Sequence, residues 1–156
     1  MTDLFLLRHA DANTESDTDD GRRLSEKGIG QAKKVARFIS EHELQLDLIV
    51  SSPVRRAQET ARIVSENLEI ELVTEGWLAC GMHPETGASE LRGYDRFDRV
   101  MIVGHEPDFS QLIAHLIGLA DPEQIRIRKA SLTHLQVAAF IPSGARLVSS
   151  VPCRLM

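Results

Sequence analysis

The stretch Leu4-Phe5-Leu6-Leu7-Arg8-His9-Ala10 decides the fold. Four consecutive apolar residues predict a strand buried on both faces, the habit of a central parallel strand. The chain then changes character. A cation and an imidazole arrive where the strand should end, at the edge where open α/β sheets place their ligands. The arrangement occurs a second time, where Val100-Met101-Ile102-Val103 leads into Gly104-His105-Glu106-Pro107. Two buried strands, each delivering a histidine at its C-terminal end, argue for one shared site.

Between these strands the pattern alternates helix and strand. Ser25 reads as the cap of a helix with Glu26 in its first turn, where negative charge suits the helix dipole. Ile29, Ala32, Val35, Ala36 and Ile39 give that helix one apolar stripe as far as about His42. Asp47-Leu48-Ile49-Val50 predicts a second strand, which feeds into Ser51-Ser52-Pro53-Val54-Arg55-Arg56-Ala57-Gln58-Glu59-Thr60-Ala61. Ser52 is expected as N-cap and Pro53 as first helical residue, with Val54, Ala57, Ala61, Val64 and Leu68 on the packed face. Arg55 and Arg56 then fall in the first turn, where cations oppose the dipole unless an anion binds there too.

Further along, Ile70 to Val73 predicts a third strand, Trp77 to Pro84 a loop, and Glu85 to Tyr94 a short helix. From Pro107 a helix carries Phe109, Leu112, Ile113, Leu116 and Ile117 inward and closes at Gly118. Leu135, Val137, Ala139 and Ile141 alternate, Pro142-Ser143-Gly144 turns, and Leu147 to Val151 returns, which reads as an antiparallel hairpin at one sheet edge. The expected fold is a single α/β domain over residues 1–156. Its doubly wound, mostly parallel sheet has helices on both faces and a C-terminal antiparallel hairpin.

Composition narrows the function classes. The 156 residues are 42% hydrophobic and 26% charged, with a net charge of -5, so neither a nucleic-acid footprint nor a polybasic membrane contact is expected. The apolar runs are far too short to span a bilayer, and Met1-Thr2-Asp3 offers no basic start to a secretory leader. Cys80 and Cys153 stand far apart in no metal-like spacing, as expected of thiols in a reducing cytoplasm. Asp17-Thr18-Asp19-Asp20-Gly21 is misphased for a calcium loop and reads as a solvated acidic loop. No metal or other cofactor is expected, and monomer is the default state.

Connection rules bring three strand ends to one edge: Arg8-His9, Ser52 to Arg56, and His105. Arginine forks and helix N-termini both match phosphoryl oxygens, so a phosphate or sulfate anion should bind there. A neutral histidine can attack phosphorus and carry the group covalently. No P-loop or GxGxxG competes, and the constellation points to phosphoryl transfer through a histidine.

These motifs carry a resemblance. Arg8-His9-Ala10 resembles the Arg-His-Gly signature of the histidine phosphatase superfamily, the phosphoglycerate mutase-like proteins. Ser52-Pro53-Val54-Arg55-Arg56-Ala57-Gln58-Glu59-Thr60-Ala61 resembles its second motif, with Arg56 as the match, and Gly104-His105 its late glycine-histidine pair. With Arg22-Arg23-Leu24-Ser25-Glu26-Lys27-Gly28 and the short length, the chain is most similar to the SixA-type phosphohistidine phosphatases. The resemblance implies no cap insertion and His9 as the nucleophile that becomes phosphorylated. Arg8 and Arg56 would hold the phosphoryl oxygens, and His105 would stabilise the charge of the transferring group. Arg22, Ser52 and Gly104 are the further phosphate-site candidates, with Arg23 standing beside Arg22 as an alternative register.

Two departures bear on substrate. Ala10 replaces the usual glycine, which is tolerable if φ is negative there. The mutases and broad phosphatases carry a glutamate proton donor after the second motif, whereas Trp77-Leu78-Ala79-Cys80-Gly81-Met82-His83 has no carboxylate. An alkoxide leaving group needs a general acid, and the imidazole of phosphohistidine needs less help. The expected substrate is therefore phosphohistidine in a protein, such as a histidine-containing phosphotransfer domain or another phosphocarrier, with a role in signal transduction. Asp11, Glu85 and Glu106 are the candidate proton donors. The alternatives are a small-molecule phosphomonoesterase or mutase, and a phosphate-binding module without turnover.

Overall fold

The computed structural model describes residues 1–156. Ten main elements follow in the order β1 (Thr2–Arg8), α1 (Glu26–Glu41), β2 (Leu48–Ser51), α2 (Arg55–Leu68), β3 (Leu72–Thr74), α3 (Pro84–Leu91), β4 (Arg99–Gly104), α4 (Asp108–Ile117), β5 (Leu132–Val137) and β6 (Ala145–Val151). They form one six-stranded sheet in the order β3-β2-β4-β1-β5-β6. β1, β2, β3 and β4 run parallel, and β5 and β6 add an antiparallel hairpin at one edge. No helix is long and apolar enough to cross a membrane.

Period-two alternation explains the layers. Leu4, Leu6, Leu48, Val50, Val100 and Ile102 face one way and pack under Leu91 of α3 and Phe109, Leu112, Ile113 and Leu116 of α4. Phe5, Leu7, Ile49, Met101 and Val103 face the other way and meet Ala32, Val35, Ala36 and Ile39 of α1 and Ala57, Ala61 and Val64 of α2. Continuous apolar runs in β1 and β4 are what a sheet covered on both faces requires.

Several boundaries differ from the sequence expectation, each for a local reason. Ser52 does not cap α2; the helix starts at Arg55 with Val54 at the cap, while the Ser52 hydroxyl turns to His105. Pro53 accordingly precedes the helix. The third strand is Leu72–Thr74, because Ile49 to Ser51 set its register against Leu72 to Thr74. β5 runs over Leu132–Val137, since Ala138 and Ala139 hydrogen-bond to Gly144 within the turn and leave Ile141 exposed. Ile29 is exposed, and Gly28 takes its place on the buried face of α1.

That glycine sits where two backbones meet. A Cβ on Gly28 would lie 1.9 Å from the carbonyl oxygen of Asp11, two residues beyond His9, whereas a Cβ on Gly30 would meet nothing within 4 Å. Gly28→Ala should therefore cost about 1–3 kcal/mol through overpacking. Gly30→Ala in the same helix should gain roughly 0.5–1 kcal/mol. Urea unfolding midpoints of the two variants check this opposite pair of signs.

Candidate active site

Register assembles the site. Parallel pairing sets Arg8 against Gly104 and Ser51 against Val103, so the residues after β1, β4 and β2 emerge side by side. The His9 N–H donates to the Gly104 carbonyl at 3.0 Å, and the Ser52 N–H to the Val103 carbonyl at 3.0 Å. The rings of His9 and His105 then lie with centroids 5.4 Å apart. Gly104 leaves room for α4: a Cβ there would come 2.8 Å from the Phe109 ring. Ala10 is not among the residues with positive φ, and its methyl group is fully buried, so it fits in place of glycine.

The two imidazoles are neutral and have assignable tautomers. His9 Nδ1 lies 2.8 Å from the Ala10 carbonyl oxygen, which only accepts, so Nδ1 carries the proton and the lone pair is on Nε2. Arg56 Nε–H donates toward that lone pair at 3.3 Å. Burial lowers the His9 pKa to about 3, assisted by the positive fields of His105, Arg56 and Arg8 and opposed by the Ala10 hydrogen bond. His105 is lowered to about 4, again chiefly by burial and then by Arg56. Ser52 Oγ accepts from Val54 N–H at 3.2 Å and stands 2.7 Å from His105 Nε2. With Ser52 donating to Nε2, the His105 Nδ1–H is left as a buried donor without a partner.

Arginines close the cluster. Arg56, on the first turn of α2, is 6% exposed, and Thr60 locks its turn by accepting from Ala10 N–H and donating to the Arg56 carbonyl. Its guanidinium also reaches the Asp19 carbonyl oxygen at 2.9 Å, the Asp19 carboxylate at 3.3 Å and Cys80 Sγ at 3.5 Å. Arg8 donates to the Ile127 carbonyl at 2.9 Å, while its buried Nε has no partner. Arg22 braces the loop, donating to the carbonyls of Asn13 and Ala12 and pairing with Asp19 at 3.4 Å. Arg23 is exposed on the outer side of that loop, and Arg55 pairs with Glu59 away from His9. Two unpaired buried donors and two neutral imidazoles among arginines make a receptor for a tetrahedral anion.

The candidate acids are placed differently. The Asp11 carboxylate accepts from Ser25 Oγ at 2.6 Å and pairs with Lys129 at 3.1 Å, contacts that hold its pKa below the usual range. Glu106 accepts from both the backbone and the hydroxyl of Ser110. Glu85 is exposed on the first turn of α3 and contacts none of these groups.

Similarity to known proteins matches this geometry. The model of the histidine phosphatase superfamily, branch 1, matches residues 4–79. The matched stretch takes in Arg8, His9, Ser52 and Arg56, so the chain is similar to the histidine phosphatase superfamily through the residues of the site. It is 28% identical over 130 residues to the phosphohistidine phosphatase SixA homolog of Haemophilus influenzae, covering 76% of this chain and 79% of that one. Its fold is that of the protein histidine phosphatase SixA solved with tungstate, at TM-score 0.88 and 18% identity over 99% of this chain and all of the other. The α-ribazole phosphatase of Shigella flexneri has the same fold, at TM-score 0.81 and 18% identity over 97% of each chain.

Two side chains at the site escaped the sequence reading. Asp19 belongs to the run read as a solvated acidic loop; it is largely exposed, yet it lies across Arg56 and Arg22, and Arg56 lowers its pKa. Asp108 is buried, accepts from Gly81 N–H at 2.9 Å, and so pins the loop that presents Cys80 to Arg56. Desolvation raises its pKa. Neither signal was available before folding, because both contacts join segments far apart in the chain.

The depressed histidine values carry a sign. The folded-state values of about 3 and about 4 lie below the ordinary 6.5, so the unfolded chain binds protons first. The stability they contribute is present above 6.5 and is lost as pH falls toward 3. Imidazole resonances of His9 and His105 should accordingly stay constant from pH 8 to pH 5, with the nitrogen shifts reporting Nδ1–H and a bare Nε2 on His9. An inflection near 6.5 for either ring contradicts the assignment.

Proposed function

We propose that this chain hydrolyses phosphohistidine in a partner protein through a phosphorylated His9. The observation that carries the reading is the unprotonated Nε2 of a buried neutral His9, flanked by Arg56 and Arg8, where the carboxylate nearest to Arg56, that of Asp19, is held ionised by that arginine. His9 Nε2 attacks phosphorus, and the P–N bond to the substrate ring breaks; that ring, already protonated at its other nitrogen, keeps the electron pair and leaves as neutral imidazole. Water then attacks the phosphoryl group on His9; the bond to Nε2 breaks and inorganic phosphate leaves. Arg8 and Arg56 hold the phosphoryl oxygens, and the Asp19 carboxylate gives way to them. The His105 Nδ1–H donates to the charge that develops at phosphorus, while Ser52 sets its tautomer and Gly104, before it in the chain, leaves room for the Phe109 ring. Arg22, tied to Asp19, is the arginine positioned to follow that exchange.

The fate of the candidate acids supports the choice of leaving group. An ester releases an alkoxide that needs a proton, yet Asp11 and Asp19 are held ionised, Glu106 is occupied by Ser110, and Glu85 is remote. A phosphohistidine ring protonated at its far nitrogen departs as neutral imidazole and takes no proton from the enzyme. A histidine-containing phosphotransfer domain or phosphocarrier fits this chemistry, as does the name of the Haemophilus influenzae relative. The fold shared with an α-ribazole phosphatase favours a second reading, hydrolysis of a small phosphate ester. A non-catalytic phosphate-binding module would have no use for a tautomer that exposes the His9 lone pair.

Phosphate release from a phosphotransfer domain phosphorylated on histidine, measured beside a panel of small esters in metal-free buffer, tests the proposal. Wild type should prefer the protein. Arg56→Ala should lower kcat by about 10²–10³-fold through lost charge stabilisation. His9→Ala should abolish turnover, and residual turnover by that variant would sink the nucleophile assignment. Preference for an ester selects the second reading.

A further inference from the structure

A cavity of about 790 Å³ opens beside the phosphoryl site, with Arg8 and Glu106, the neighbours in sequence of His9 and His105, in its wall. Its walls come from three segments: the exposed side of α1, the stretch from Ile125 to Lys129, and Pro152 to Arg154 at the C-terminus. Apolar and basic residues alternate from Ile125, so Ile127 is buried while Arg126 and Arg128 stand exposed. Lys27 and Lys34 face them from α1, and Arg154 from the C-terminus.

Charge in this trough runs against the rest of the chain. The whole protein carries -5, yet the trough holds seven cations and two carboxylates. Both carboxylates are already engaged, Asp11 by Lys129 and Ser25, Glu106 by Ser110. None of Lys27, Lys34, Arg126, Arg128 or Arg154 takes part in an ion pair or a side-chain hydrogen bond. Five free cations held together in a concave surface concentrate a positive field beside the reacting group.

We propose that this trough docks an acidic segment of the phosphohistidine protein, next to the histidine that enters the phosphoryl site. The inference rests on the functional reading above and specifies its partner: a protein with several carboxylates flanking the phosphorylated residue. The exposed ends of long side chains on three segments suit carboxylates spaced along a polypeptide surface. A compact polyanion would call for buried donors converging on one point. Arg8 couples the two regions, since its guanidinium lines the trough, donates to the Ile127 carbonyl and stands next to His9 in sequence. Docking there both steers the partner and aligns its phosphoryl group with the His9 lone pair.

The test compares wild type with K34E/R126E/R128E, and with the milder R126A/R128A, on two substrates. One is a phosphotransfer domain with acidic residues around its phosphohistidine; the other is free phosphohistidine. Reversal should lower kcat/KM for the domain by about 10- to 100-fold, mainly through KM, and flatten its salt dependence. Free phosphohistidine should be turned over within twofold of wild type by both variants, which also shows that they fold. Unchanged turnover of the domain, or equal losses on both substrates, overturns the docking surface. A wild type active on phosphate esters and inactive on both forms of phosphohistidine overturns the functional reading instead. In that event, salt-sensitive binding of the acidic domain that the triple variant loses would still support the trough.

Discussion

Parallel pairing of β1 with β4 is the constraint on which the site depends. Leu4 to Arg8 lie opposite Val100 to Gly104 residue for residue, and the two histidines follow at once. A slip of one residue would turn every apolar side chain of β1 to the wrong layer and separate the two imidazoles. The packing that fixes the register, Leu4 and Leu6 under α4 and Phe5 and Leu7 under α1 and α2, is therefore also what fixes the reacting geometry. Helix α2 is tied to the same frame through Thr60, which bridges Ala10 and Arg56. Few degrees of freedom remain at His9.

Burial then does chemical work. An exposed histidine near pH 6.5 is half protonated and a poor nucleophile. Here desolvation and the neighbouring arginines keep both imidazoles neutral, and one carbonyl, that of Ala10, selects which nitrogen of His9 keeps its lone pair. The same arginines would leave an uncompensated positive centre, and Asp19 offsets it from the loop before α1. An incoming phosphoryl group therefore competes with a carboxylate, a contact that is mostly exposed and correspondingly cheap to break.

The layered α/β fold was legible because β1 and β4 are written as unbroken apolar runs and the intervening helices as stripes. The hairpin at the edge was visible in its alternation and turn residues. What escaped was contact between distant segments. Ser52 has the chemistry of a helix cap, and the sequence carries no sign that its hydroxyl is taken by His105. Asp19 looks like one acid in a solvated run, and only the folded loop brings it to Arg56. The proximity of His9, Arg56 and His105 could be expected from strand ends alone; the tautomers, the bound state of Asp11 and the basic trough could not. Arg126 and Arg128 acquire meaning only when α1 and the C-terminus close around them.

The central claim is that Nε2 of His9 accepts the phosphoryl group. Rapid quenching of the enzyme with a phosphorylated phosphotransfer domain, followed by mass spectrometry and phosphorus NMR of the trapped protein, tests it most directly. The account predicts an acid-labile phosphoryl group on His9, bonded through Nε2, that forms before inorganic phosphate appears and decays at the turnover rate. Phosphate release with no such species, or with the label on another residue, contradicts it.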